Sequence, residues 1–253
     1  MRGMLKNFRK YIFNIITYPN YFFLRKTFRH VIFSHVPQSG GNSVDFFFKL
    51  NFGFRHKKIN TEDKILDHKC YDNFLLIFGH FGLDRVNQYI KDDSFKMFSI
   101  RNPKNRYLSN YFRNKKLHQN FNDNNNNFME LVDFLRLRIS QGQDNLYTRY
   151  LSGRPIYDEN NYKLSQRDYD EALKNIYKFD FIFLTDKSKL CFKLLSQKLK
   201  IKFLISKFFT LHKNKVSGSV FRELSFDENN LLDKLTNFDQ KIYDKLINIY
   251  NDK

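Results

Sequence analysis

Short apolar runs, each closed by a polar or glycine-bearing stretch, dominate the pattern of this chain. Val31-Ile-Phe-Ser-His-Val36 reads as a buried strand. A turn-rich loop follows, Pro37-Gln-Ser-Gly-Gly-Asn-Ser43, and then a helix carrying Val44, Phe47 and Phe48. Phe74 to Phe78 is a second buried strand, ending in Gly79-His80-Phe81-Gly82. Lys96 to Ile100 is a third, ending in Arg101-Asn102-Pro103 ahead of a helical stretch to about Lys116. A polar loop spans Asn122 to Asn127, and helical periodicity returns over Phe128–Ile139 and Ser165–Ile176. Phe181 to Leu184 is a fourth strand with a helix after it, and Asp227 to Tyr250 repeats apolar residues at helical spacing. No internal repeat is evident. Alternating strands and helices predict an α/β fold with a central parallel β-sheet flanked by helices on both faces.

The length of 253 residues fits one large domain, here 31–253, preceded by a basic segment over 1–30 that is expected to pack on it. That segment has no acid before Asp45. Its apolar run, Tyr11 to Tyr18, contains Asn14 and stops at Pro19-Asn20, short of the about 20 residues a membrane span needs. Small residues of a cleaved signal are missing too. A leading helix is the first reading, and peripheral contact with an anionic membrane surface is the second. The expected location is cytoplasmic. Cys70 and Cys191 lie far apart and outside any CxxC or Cys/His cluster, which argues for reduced thiols and against a disulfide scaffold or structural zinc.

Lys and Arg number 44 against 26 Asp and Glu, a net charge of +18 that favours anionic ligands. Phe, Tyr, Asn, Ile and Lys abound while Ala172 is the only alanine, so AT-rich codon usage is an equal explanation of the basic excess. Charge alone therefore does not imply nucleic acid. Position carries more information. Ligands of open parallel sheets bind outside the carboxyl ends of the strands, where loops 37–43, 79–82 and 101–109 fall. Gly40 and Gly41 let backbone N–H groups approach an anion, and the helix starting near Ser43 adds its positive end. The loop lacks GxxxxGK[ST] and is no Walker loop. Arg101 leaves the third strand and Ser109 follows eight residues later, so a guanidinium and a hydroxyl are expected to grip one phosphate. Arg106, between them, either caps the site or pairs with an acid.

These motifs together resemble a known family. His35-Val-Pro-Gln-Ser-Gly-Gly-Asn-Ser43 resembles the phosphosulfate loop of glycan-type sulfotransferases, H-[IV]-P-K-T-G-G-T-S. Arg101-Asn-Pro-Lys-Asn-Arg-Tyr-Leu-Ser109 is similar to that family's R-[DN]-P-x-x-R-x-x-S element, which binds a 3′-phosphate. Gly79-His-Phe81, Asp144-Asn-Leu-Tyr-Thr-Arg-Tyr-Leu-Ser-Gly153, Phe181 to Asp186 and Asp239 to Tyr243 follow in the family's order. The similarity is to the heparan sulfate 2-O-sulfotransferase-like group and its bacterial cousins, over about residues 31 to 250.

The resemblance implies a Rossmann-like P-loop-type fold and a reaction that needs no metal. In it a sulfuryl group moves in line from 3′-phosphoadenosine 5′-phosphosulfate (PAPS) to a hydroxyl, here of a carbohydrate acceptor. Gln38, Ser39, Gly40, Gly41, Asn42 and Ser43 would cradle the donor, with Arg101 and Ser109 on its 3′-phosphate. His80, at a strand end on the same rim, is the candidate general base, since histidine's ordinary pKa suits that role. His35, inside the strand, is read as structural.

One residue departs from the pattern. Gln38 stands where the family has a lysine that stabilises the leaving phosphate, and loss of one preorganised donor costs about 10²–10³ in rate. Lys104 and Lys213 are candidate substitutes; otherwise turnover is slow or the protein only binds the nucleotide. Arg149 is a candidate contact to an acidic acceptor, with Asp144 and Asn145 capping the helix there. A basic loop, Lys213 to Ser219, is expected to close over the nucleotide. A nucleic-acid-binding protein is the remaining alternative, but no nucleic-acid motif is present and the charges scatter.

Overall fold

Four of the apolar runs pair as parallel strands: β1 (Val31–His35), β3 (Leu76–Gly79), β4 (Phe95–Ile100) and β5 (Phe181–Leu184). The computed structural model describes residues 11, 17–53, 56–59, 76–82, 93–117, 128–155, 162–201 and 223–251, with backbone alone at 56–59. A fifth strand, β2 (His56–Ile59), was not foreseen and pairs in parallel with β3. Its sequence, His-Lys-Lys-Ile, has no apolar run to find, and lysines are what an edge strand carries to discourage further pairing. The sheet order is β2-β3-β1-β4-β5. Val31 pairs with Leu76 on one side and Phe95 on the other, so β1 is central. All of β1 and β3 is buried, which explains why both read as continuous runs rather than alternating ones.

Helices follow the strands. α1 (Tyr18–Thr27) precedes β1, and α2 (Gly41–Phe52) follows it. Pro19, expected to stop a run, instead sits in the first turn of α1, where a missing N–H costs nothing. Leu24 is buried there, and Asn20 Nδ2 donates to the Asn51 carbonyl at 3.2 Å, joining α1 to the end of α2. Next come α3 (Pro103–Lys116), α4 (Leu131–Ser140), α5 (Leu146–Ser152), α6 (Gln166–Ile176), α7 (Ser188–Lys198) and α8 (Phe226–Asn251). The expected loop at 122–127 and Cys70 lie outside the described residues.

Two apolar clusters form. The larger surrounds the sheet and includes Phe33, Phe47, Phe98, Tyr147, Phe183 and Leu246. The smaller lies among α3, α4 and the first half of α8, with Tyr107, Phe134, Leu135, Leu232 and Leu235. With 26 residues α8 is about 39 Å long, enough to serve both clusters with one apolar stripe.

α6 starts with a reciprocal cap. The Ser165 hydroxyl accepts from the Asp168 N–H, and the Asp168 carboxylate accepts from the Ser165 N–H at 2.8 Å. Arg154 Nε and the Tyr162 hydroxyl also donate to that buried carboxylate. Burial alone would raise the Asp168 pKa, but the bonds from Ser165, Arg154 and Tyr162 outweigh it and bring it down to about 2. A depressed folded-state pKa gives stability that is whole above the unfolded value and lost as pH falls through the folded one. Asp168→Asn is therefore expected to cost about 1–3 kcal/mol at neutral pH. Thermal melts should show the gap to wild type closing as pH drops from 3.8 toward about 2.

Candidate functional site

β1 lies between β3 and β4; the chain leaves β1 toward β2 on one side of the sheet and leaves β4 toward β5 on the other, so the direction reverses between β1 and β4. The crevice at that reversal, outside the strand carboxyl ends, is where loops can enclose a ligand. The loop from β1 into α2 turns there on two left-handed residues, Gln38 at φ +70° and Gly40 at φ +90°. Gly40 is the N-cap of α2, and a Cβ on it would lie 2.9 Å from Thr185 Oγ1. A Cβ on Gly41 would meet His35 Nε2 at 2.1 Å, so the first residue of α2 rests directly on that imidazole. His35 is buried and stacks on Phe33 at 5.0 Å, the structural place the sequence suggested.

The loop holds open donors at the positive end of a helix. The Ser43 and Val44 N–H groups bond the Gly40 carbonyl, whereas those of Gly40, Gly41 and Asn42 reach no acceptor among the described residues. Amides left open at a helix start, with the dipole behind them, favour an anion. Arg101 stands beside them at the end of β4: one of its N–H groups reaches the Gln38 carbonyl at 3.4 Å, a long bond. The rest of its guanidinium is uncommitted among the described residues. Ser109 lies on the buried side of α3, its hydroxyl likewise unbonded among the described residues. His80 follows β3, half-buried, with its ring 4.6 Å from that of His35 and tilted by 70°.

Three further residues hold these loops in register. The Tyr147 hydroxyl, from α5, accepts the Arg101 N–H at 3.0 Å, donates to the Arg101 carbonyl at 3.1 Å, and meets Ser39 Oγ at 3.1 Å. A phenol has one proton, so the Ser39 hydroxyl donates in the last pair. Burial pushes the Tyr147 pKa up to about 12, so the phenol keeps that proton at ordinary pH. Thr185, just past β5, donates to the Ser39 carbonyl at 3.0 Å. The Asp186 carboxylate next to it accepts the Asn102 N–H at 2.7 Å and the Tyr243 hydroxyl at 3.2 Å.

α5 is itself anchored by α8. The Asp239 carboxylate, fully buried, accepts the N–H groups of Tyr147 (3.0 Å) and Thr148 (2.8 Å) and the Thr148 hydroxyl (2.9 Å). Asn145 occupies the N-cap position the sequence indicated, but caps nothing on its own helix. Its side-chain oxygen instead receives the Phe238 N–H at 2.8 Å, and its own N–H donates to the Leu235 carbonyl. Burial raises the Asp239 pKa to about 6, opposed by the two N–H groups and the charge of Arg106. Arg106 is buried with its guanidinium 3.8 Å from the Tyr107 ring centre, and its Nε and Nη2 have no hydrogen-bond partner among the described residues.

Other candidates sit elsewhere. The Arg149 guanidinium is 1% exposed and donates to Asp144, Pro155 and Tyr162, so its groups are committed within the chain. Lys104 pairs with Asp233 of α8 at 2.6 Å, and Lys213 with its loop to Ser219 lies outside the described residues. Tyr147 and Thr185 were missed because nothing in a linear pattern distinguishes them. Asp239 had a signal: it interrupts the apolar stripe Leu232, Leu235, Ile242, Leu246 with a carboxylate. Among the described residues no group of His, Cys, Asp and Glu is placed to hold a metal, and no helix is long and apolar enough to cross a membrane.

No protein-family model and no curated protein matches the chain. The geometry alone predicts that Tyr147→Phe, which leaves the half-buried Arg101 backbone and the buried Ser39 hydroxyl short of a partner, costs about 1–3 kcal/mol. Urea unfolding would measure this, and an unchanged midpoint would remove Tyr147 as the staple.

Proposed function

We propose that the protein is a sulfotransferase that moves a sulfuryl group from PAPS to a hydroxyl of a carbohydrate acceptor. The observation that carries this reading is the open anion cradle at Gly40–Asn42 set beside Arg101 at the reversal of the sheet. It agrees with the resemblance of the two loops to the phosphosulfate and 3′-phosphate elements. The fold is assigned on the same grounds to the Rossmann-like P-loop type, since a strand turns through glycines into a helix at that crevice. A cytoplasmic place completes the proposal, consistent with Cys191 being a free thiol.

In this reading the amides of Gly40, Gly41 and Asn42 stabilise the anionic groups of the donor, and Arg101 with Ser109 holds the 3′-phosphate. His80 takes the proton of the acceptor hydroxyl as its oxygen bonds to sulfur and the bond to the leaving phosphate breaks. No metal enters the scheme. Gln38 supplies at most one neutral N–H to that leaving phosphate. Its side chain bonds nothing among the described residues, so it is available for the purpose. Lys104, held by Asp233, is committed away from this role, which gives weight to a second reading in which the protein binds the nucleotide and transfers slowly or not at all.

Arg101→Ala should weaken 3′-phosphoadenosine 5′-phosphate by about tenfold to hundredfold, the worth of a charged hydrogen bond. Adenosine 5′-phosphosulfate, without the 3′-phosphate, should lose far less. Calorimetric titration of both ligands decides it, and equal losses would remove the 3′-phosphate assignment.

Gln38→Lys tests turnover. The position already tolerates a left-handed non-glycine residue, so the change need not disturb the loop. An ammonium there meets charge developing on the leaving phosphate, and transfer of radiolabelled sulfate should rise about tenfold or more. The gain belongs in turnover rather than donor affinity, because the contact strengthens at the transition state. If both forms bind the nucleotide and neither transfers, the binding-only reading stands instead. Failure of both to bind the nucleotide would end the family assignment.

A further inference from the structure

The outer face of α1 is aromatic and exposed. Tyr18 is 52% exposed, Phe22 42% and Phe23 41%, although these side chains are large and apolar. Tyr18, Phe22 and Lys26 are four residues apart and share one helix face, with Phe23 alongside. Tyr18 and Phe22 stack at 6.2 Å, and Phe22 meets Phe23 edge-on at 6.0 Å. The Lys26 ammonium lies 4.5 Å over the Phe22 ring. The opposite face, with Asn20 and Leu24, is buried against the domain. Such a stripe is not needed for the core, and water is a poor neighbour for it.

Charge narrows what would cover it. Arg25, Lys26 and Arg29 follow the aromatic residues, and the chain carries no acid before Asp45. Aromatic rings beside cations suit a boundary where apolar chains meet negative headgroups, while a second copy of this face would bring cations against cations. α1 has ten residues and is too short to cross a bilayer, so it would lie in the interface.

We infer that the exposed face of α1, formed by Tyr18, Phe22, Phe23 and Lys26, docks the protein on an anionic lipid surface. The orientation is compatible with a working site. Asn20 meets the carboxyl end of α2, His30 bonds the first residue of β4, and α1 therefore lies at the amino ends of the strands. The crevice at the carboxyl ends faces away from a membrane bound there.

Cosedimentation of the whole protein with phosphatidylcholine vesicles, with and without phosphatidylglycerol, tests the inference. Binding should require phosphatidylglycerol and weaken with added salt. The double substitution Phe22→Ser with Phe23→Ser should lower vesicle affinity about tenfold or more, as loss of two buried rings demands. Lys26→Glu should lower it about fivefold or more while leaving the aromatic face in place. Both changes lie on an exposed face, so an unaltered melting temperature serves as the check that the variants fold. The inference falls if no vesicle retains the protein, or if neutral vesicles retain it equally. It falls also if the double variant binds as well as wild type. Sedimentation equilibrium supplies the remaining arm: a dimer that the double variant abolishes would make a second copy the occupant and overturn the lipid assignment.

Discussion

The buried carboxylate of Asp239 is the contact on which the candidate site depends. Taking a carboxylate out of water is unfavourable by several kcal/mol unless donors surround it. Here Tyr147 and Thr148 supply three donors, all from the first turn of α5. Those N–H groups are among the four that a helix leaves unbonded at its start, so one side chain of α8 resolves two problems at once. Asn145 returns the contact by bonding Leu235 and Phe238 of α8. The two helices are thereby fixed in register as well as in distance. Tyr147 inherits that position, and its hydroxyl transmits it to Arg101 and Ser39. A charge inside α8 thus sets the spacing of two loops on the far side of α5.

The strand order determines which loops are available to be joined. Because β1 is flanked by β3 and β4, the loops after β1 and β4 open on the same crevice. β5 adds a third side, with Thr185 on the Ser39 carbonyl and Asp186 on the Asn102 N–H. Backbone groups of the rim are therefore held by side chains from elements distant in sequence. A loop so held loses little freedom when a ligand arrives, which is how rigid scaffolds keep binding loops ready.

Much of the fold was legible because parallel strands covered on both faces leave unbroken apolar runs, as Val31–Val36 and Phe181–Leu184 do. β2 was not, since a lysine-bearing edge strand has no such run. In the site, Gly40 and Gly41 were legible from residue type, because only glycine suits a φ of +90° beside Thr185 or a place against His35. Asn145 was correctly located and wrongly employed: the linear pattern shows a capping residue at a helix start, but not that α8 supplies the cap and takes the asparagine for itself. Tyr147 was illegible for a related reason. Its neighbours at Ser39 and Arg101 are remote in sequence, and a buried tyrosine announces nothing about where its hydroxyl points.

The arginines show how a folded chain separates scaffold from site. Arg149, buried, donates to carbonyls and a carboxylate around it, so its charge is used to close a turn. Arg101, half-buried at a strand end, makes one long bond and, among the described residues, keeps its remaining donors open beside the α2 amides that reach no acceptor there. Arg106 stands between these cases: buried, stacked on Tyr107, with two of its nitrogens, Nε and Nη2, lacking a partner among the described residues. Such a guanidinium is unfavourable by itself. Its compensation is electrostatic, because its field lowers the Asp239 pKa and favours the ionised carboxylate that caps α5. An incompletely bonded cation thus supports the anion that positions Tyr147, and through Tyr147 the backbone of Arg101 at the candidate site.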